Sequence, residues 1–165
     1  MSPMPEDIDQ LMLPVTAPLS EEELLRRCEL ITGKTVAQLA QQYNLPVPAD
    51  LRRHKGWLGN LLERILGADA GNQAEPDFVA LGIELKTIPL NSKGEPKEST
   101  YVCTVNPRAV AETHWQTCWL RRKLSKVLWL PLEAENSIPL EERYIGQAIL
   151  WQPSEHQETV LHQDW

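Results

Sequence analysis

The stretch EPDFVALGIELKTIP, Glu75 to Pro89, decides the reading of this chain. Apolar and polar residues alternate from Gly82 to Ile88, the period of a strand with one buried face. Side chains two apart on a strand share a face. Glu84 and Lys86 therefore point one way, and Ile83 and Leu85 the other. Asp77 follows Pro76 just before the strand, where a turn brings it back beside Glu84. Two carboxylates that converge suit a hard divalent cation, which takes oxygen ligands. A lysine beside them stabilises developing negative charge or positions an attacking water. Metal-assisted phosphodiester hydrolysis needs this set of groups. The pattern is loose by itself. A Glu and a Lys two apart are often a solvated strand face, and an Asp before a strand is ordinary turn chemistry.

Downstream, Asn91 to Gly94 predicts a hairpin turn, with a return strand over Thr100–Val105. Tyr101 on that strand is either a ligand contact or a core or edge tyrosine. A helix is predicted over His114–Ser125, with Trp115, Trp119 and Leu120 facing the core. KVLWLPLE, Lys126 to Glu133, reads as a buried strand, and Arg143–Trp151 as another. Ser154 and Gln157 form the capping box of a last helix.

Upstream, Ser20 and Glu23 form a capping box for a helix burying Leu24, Cys28 and Ile31, which Gly33 ends. Thr35 caps a second helix with Val36, Leu39, Ala40 and Tyr43 inward; Asn44 and Pro46 stop it. A third runs over Trp57–Leu66, with Leu58, Leu61, Leu62 and Ile65 as its core stripe. Its opposite face is Gly56, Asn60, Glu63 and Gly67, small enough in part for a substrate backbone to approach. Glu63 lies in the last turn, where the helix dipole disfavours negative charge. A locally unfavourable residue is a candidate for function; the plainer reading is a surface Glu paired with Arg64 or another base.

At 165 residues the chain fits one domain over residues 20–165, after a mobile leader at 1–19 that holds four prolines. The net charge of -7 argues against nonspecific coating of nucleic acid. It leaves room for a DNA enzyme with clustered basic residues. Arg52, Arg53 and Lys55 form one such cluster, and Arg121, Arg122, Lys123 and Lys126 a second. Cys28, Cys103 and Cys118 are odd in number and widely spaced, which fits free thiols in a reducing compartment. No basic n-region or long apolar run marks a signal peptide or membrane span, so a cytoplasmic protein is expected.

Three blocks carry a family resemblance: KGWLGNLLERILGADAG at Lys55–Gly71, DFVALGIELKTIP at Asp77–Pro89, and RRKLSKVLWLPLE at Arg121–Glu133. In this order and spacing they closely resemble the MutH mismatch-repair endonuclease family. The likeness runs from about Ser20 to the ILWQPSE stretch. The resemblance implies an α/β (α+β mixed) restriction-endonuclease-like fold of the PD-(D/E)XK type, a central mixed sheet flanked by helices. It implies a magnesium-dependent endonuclease acting on double-stranded DNA, which nicks the unmethylated strand at hemimethylated GATC sites. It also implies activation by MutL, with MutS upstream, and a monomeric enzyme. On this resemblance Asp77 and Glu84 are the metal ligands, with the backbone carbonyl of Leu85. Lys86 is the catalytic lysine, and Glu63 and Lys123 are further active-site residues. Lys55, Gly56, Tyr101 and Arg121 fall where the family meets DNA.

Family members continue past the position of Trp165, and the last helix has no C-cap signal. The resemblance therefore predicts that a C-terminal segment with DNA-reading loops and part of the activator-facing surface is lacking. A second reading follows: a non-catalytic DNA- or MutL-binding remnant. Val160, Leu161 and Trp165 of the last helix are expected to need a partner that the longer chain supplies.

Overall fold

A computed structural model describes residues 12–49, 56–71 and 73–165. In chain order these form α1 (Glu21–Ile31), α2 (Val36–Gln42), α3 (Trp57–Leu66), β1 (Glu84–Leu90), α4 (Pro107–Val110), α5 (Trp119–Leu124), β2 (Val127–Glu133), β3 (Ile149–Trp151) and α6 (Glu155–Asp164). The sheet order is β1-β2-β3. β1 and β2 run parallel, with Glu84 opposite Val127 and Leu90 opposite Glu133. β2 and β3 are antiparallel. The mixed sheet flanked by helices is the expected fold class. Its core joins Leu24 and Cys28 of α1, Leu39 of α2, and Leu61, Leu62 and Leu66 of α3 to Ile83, Leu85, Leu128 and Leu130 of the sheet.

Helix starts follow the capping signals. Ser20 Oγ accepts the Glu23 N–H at 3.1 Å. The Glu23 carboxylate reaches one residue further back than expected, to the Leu19 N–H at 2.7 Å. Thr35 with Gln38, and Ser154 with Gln157, make complete capping boxes. α3 ends at Gly67, whose φ of 86° lies in the left-handed region. Arg27 Nη1 donates to Leu66 O at 2.9 Å and to Thr16 O at 2.7 Å, binding the helix end to the segment before α1. A Cβ on Gly67 would stand 2.5 Å from Arg27 Nη1 and 2.6 Å from Thr16 O. Gly67→Ala combines that clash with a strained φ and is expected to cost about 2–3 kcal/mol in urea unfolding. A loss below about 0.5 kcal/mol, the scale of a neutral surface change, would show that the Thr16 segment yields freely.

Three expected elements differ. No return strand forms over 100–105. The hairpin turn at 91–94 is present, and Asn91 N–H donates to Glu95 O and Lys97 N–H to Pro89 O, both at 2.9 Å. The ladder then stops, because Pro89 has no N–H to return the second bond of its pair with Lys97. The helix expected over 114–125 is split. A 3-10 turn at Trp115–Thr117 precedes Cys118, which is extended at φ -70° and ψ 152° and caps α5, its Sγ accepting the Arg121 N–H at 3.3 Å. The break turns both Trp115 and Cys118 into the interior, where they are 4% and 1% exposed. The strand expected over Arg143–Trp151 is reduced to bridges at Tyr144 and Ile145 and to β3. Between them Gly146 lies against Pro131, which has no N–H to pair; a Cβ there would stand 3.0 Å from Pro131 Cβ.

The last helix packs on the α5 region. His162 stacks on Trp115 with ring centroids 5.7 Å apart, and Trp165 tilts against the same ring at 6.1 Å. Leu161 shares a crevice with Trp115 and Leu124. Leu161 and Trp165 thus find partners within this chain, while Val160 is 40% exposed. Among the described residues no helix is long and apolar enough to cross a membrane.

Candidate active site

The turn before β1 explains the six-residue gap between Asp77 and Glu84. Phe78 is buried and exchanges both backbone hydrogen bonds with Ile83, at 2.9 and 3.3 Å. Between them the chain makes a 3-10 turn at Val79–Leu81 and reverses at Gly82, φ 65°. This closed loop sets residue 77 against residue 84. Asp77 Oδ2 accepts the Leu85 N–H at 2.9 Å, and the Asp77 N–H donates to Glu84 Oε2 at 3.3 Å.

Glu84 is 2% exposed, and it is the only charged or polar residue classed as buried among those described. Two ammonium groups compensate it. Lys123 Nζ, from the last turn of α5, donates to Oε1 at 2.9 Å and Oε2 at 3.1 Å. Lys86 Nζ lies 3.3 Å from Oε1. Asp77, Glu84, Lys86 and Lys123 line a cleft of about 420 Å³, which Glu63 of α3 also enters. Burial, then the charges of Asp77 and Glu84, push the Glu63 carboxyl from 4.5 up to about 7 against the pull of Lys86 and Lys123. Asp77 is likewise raised, first by burial and then by Glu84.

The structure thus joins Asp77, Glu84, Leu85, Lys86, Glu63 and Lys123 in one cleft. Tyr101 stands at its rim, 69% exposed, with its hydroxyl 2.7 Å from Thr104 Oγ1. Arg121 is not brought there. Its Nε binds Glu158 of α6 at 2.7 Å. Gly56 caps α3 at φ 82° and borders a separate cavity of about 300 Å³ with Thr87 and Pro89. Lys55, with Arg52 and Arg53, lies outside the described residues. Sequence reasoning missed four cleft residues, Val102, Cys103, Thr104 and Trp119. Burial raises the Cys103 thiol, which keeps it protonated and weakly reactive. Trp119 was read as a core contact, yet its ring centroid lies 4.6 Å from Lys123 Nζ. Its i, i+4 spacing to Lys123 was the available signal.

Among the described residues no ready-made cluster of three acidic, imidazole or thiol groups stands around one point. Both oxygens of Glu84 are instead engaged by lysine. The donor set is nonetheless that of a hard cation: three carboxylates in one cleft, Glu63 held up by burial and by the charges of Asp77 and Glu84, and Asp77 by burial and the charge of Glu84. The lysines add donors suited to a phosphate oxygen.

Residues 66–164 match the family model for the DNA mismatch repair enzyme MutH. The DNA mismatch repair protein MutH of Histophilus somni (strain 2336) is 53% identical over 154 residues, covering 93% of this chain and 69% of that protein. That of Haemophilus ducreyi is 51% identical over 148 residues, covering 90% and 66%. That of Photorhabdus laumondii is 44% identical over 158 residues, covering 96% and 69%. The chain spans about two thirds of the length of these relatives. It belongs to the MutH family of DNA mismatch repair enzymes.

Proposed function

We propose that this chain is a magnesium-dependent endonuclease that nicks the unmethylated strand of hemimethylated GATC sites in double-stranded DNA during mismatch repair. In this reading it acts in the cytoplasm as a monomer, and MutL, downstream of MutS, activates it. One observation carries the catalytic part: a fully buried Glu84 held by Lys86 and Lys123, with Asp77 folded against it.

The carboxylates of Asp77 and Glu84 and the backbone carbonyl of Leu85 would hold magnesium. Burial first, and then neighbouring carboxylate charge, raises the Asp77 and Glu63 carboxyls, and a divalent cation would offset that charge. Bound there, magnesium supplies a Lewis acid for the phosphoryl oxygen and a water of lowered pKa. Among the described residues Lys86 pairs with Glu84 Oε1, and it is placed to orient the attacking water. Lys123 neutralises charge on the phosphate. Glu63 borders the cleft from α3 and supports the site as a further carboxylate. Attack of the water oxygen on phosphorus displaces the 3′-oxygen and leaves a 5′-phosphate. Tyr101 at the rim and Gly56 at the start of α3 contact the DNA, and Lys55, the residue before Gly56 in the sequence, is a further DNA contact. The bond from Arg121 to Glu158 has to open before that side chain can join them.

The test is nicking of a hemimethylated GATC plasmid with magnesium, with and without MutL, against a scrambled-site plasmid and a chelator control. Site-dependent, chelator-sensitive nicking is the expected result. Tight DNA binding without nicking under every condition would favour the non-catalytic binding remnant.

Two lysines separate binding from chemistry. Lys55→Ala is expected to weaken DNA binding on all sequences and reduce the salt slope by about 1. Lys123→Ala is expected to lower single-turnover cleavage at saturating DNA by roughly a hundredfold with little change in Kd. Equal binding defects with unchanged chemistry in both would make Lys123 a plain phosphate contact.

A further inference from the structure

Trp119 touches one functional group. The Lys123 ammonium sits 4.6 Å from its ring centroid, within the range of a cation–π contact. The ring lines the same cleft as Glu84, and the side chain of Lys123 is 13% exposed. Lys123 therefore has two kinds of hold: the Glu84 carboxylate and the indole face. Among the described residues no ring stands over Lys86; its contact there is the one at 3.3 Å to Glu84. The two holds differ in one respect. The carboxylate is shared with any cation that Glu84 takes up, and turning it toward that cation withdraws it from Lys123. The indole is not a cation ligand, so uptake of a cation by Glu84 does not draw it away from Lys123. Trp119 and Lys123 are one helical turn apart on α5, so no tertiary movement is needed to keep them together.

We propose that Trp119 is a positioning residue: its ring keeps the Lys123 ammonium aimed into the cleft when Glu84 no longer neutralises it. This rests on the nuclease reading above for its consequence in catalysis, but not for the placement itself. An ammonium over an indole face is attracted by the ring quadrupole, most strongly where water is excluded. Without the ring, a lysine released by Glu84 regains rotamer freedom and turns to solvent.

The experiment has two arms on the full chain. In the first, NMR follows the side-chain Cε protons of Lys123, which the ring current of Trp119 displaces upfield. The displacement is expected in the parent, to persist on adding magnesium and in Glu84→Gln, and to vanish in Trp119→Leu. Its absence in the parent, or its loss in Glu84→Gln, overturns the inference whether or not the protein nicks DNA. In the second arm, fluorinated tryptophans installed at position 119 alone weaken the ring quadrupole while keeping its shape. Single-turnover cleavage at saturating DNA is expected to fall stepwise with each fluorine, and by about threefold to thirtyfold in Trp119→Leu, with Kd unchanged. A flat fluorine series in a nicking protein overturns the inference. A parent that fails to nick, yet shows the Lys123 displacement throughout the first arm, overturns the nuclease reading and leaves the placement standing.

Discussion

Glu84→Ala is expected to abolish nicking and to destabilise the fold as well, whereas Asp77→Ala is expected to abolish nicking alone. Glu84 is 2% exposed and is the counter-charge for both Lys86 and Lys123. Removing it leaves two ammonium groups facing each other in a half-closed cleft. Breaking a buried pair from one side costs about 3–5 kcal/mol. The Lys86 side chain is 18% exposed and can turn to water, while Lys123, 13% exposed, keeps the Trp119 ring as a second hold, which puts the expected loss near the lower end of that range. Asp77 stands differently. Its removal loses the Leu85 N–H bond but also relieves repulsion with Glu84 and Glu63. The two effects oppose each other, and a net change within about 1 kcal/mol is expected. Either substitution removes an oxygen ligand from the reacting centre, and a fall in nicking of roughly a thousandfold or more is expected. Urea unfolding and plasmid nicking on the same preparations measure both. Near-parental nicking by either variant removes the metal-site assignment. A parental melting curve for Glu84→Ala would show that the lysines do not depend on that carboxylate.

What was legible in the sequence was local. The alternation from Gly82 to Ile88 placed Glu84 and Lys86 together, and Pro76 followed by a six-residue gap placed Asp77 beside them. The closed turn between Phe78 and Ile83 is the physical form of that gap. The unfavourable position of Glu63 at the end of α3 marked it as unusual, but its nearness to two other carboxylates is a tertiary fact. So is the contact between Glu84 and Lys123, which are 39 residues apart. No periodicity links them, and only the family resemblance suggested it. The misread elements have local causes that compete with pattern. Pro89 cannot return a ladder bond, so the run over 100–105 does not become a strand. The split at Cys118 turns on burial of Trp115, which a helical wheel over 114–125 does not reveal. Trp119 reads as a core contact of the helix, whereas the fold sets its ring centroid 4.6 Å from Lys123 Nζ.

The metal-free protein is expected to lose stability as pH rises from about 4.5 to about 7, and Glu63→Gln to remove much of that slope. Glu63 titrates at 4.5 when unfolded and at about 7 in the fold. Between those values the folded protein holds a proton that the unfolded chain has released. Its stability therefore falls with rising pH through the window and levels off above it. A shift from 4.5 to about 7 bounds the change at about 3 kcal/mol; partial solvent access to the cleft reduces the expected loss to about 1–2 kcal/mol. Asp77, also raised, adds to the same trend. Glu23 works in the opposite sense, because the Leu19 N–H and Arg27 hold its carboxyl down, but it does so below 4.5. Glu63→Gln keeps the shape and cannot ionise, so it is expected to melt higher than the parent at pH 8 and close to it at pH 4.5. Magnesium acts on the same charges: it stabilises the ionised carboxylates, so its effect on Tm is expected to be larger at pH 8 than at pH 5. Thermal melts across pH 4.5–8, with and without magnesium, measure all of this. Parallel pH profiles for the parent and Glu63→Gln would show that Glu63 is solvated and has no share in the acidic cleft, leaving Asp77 and Glu84 as its carboxylates.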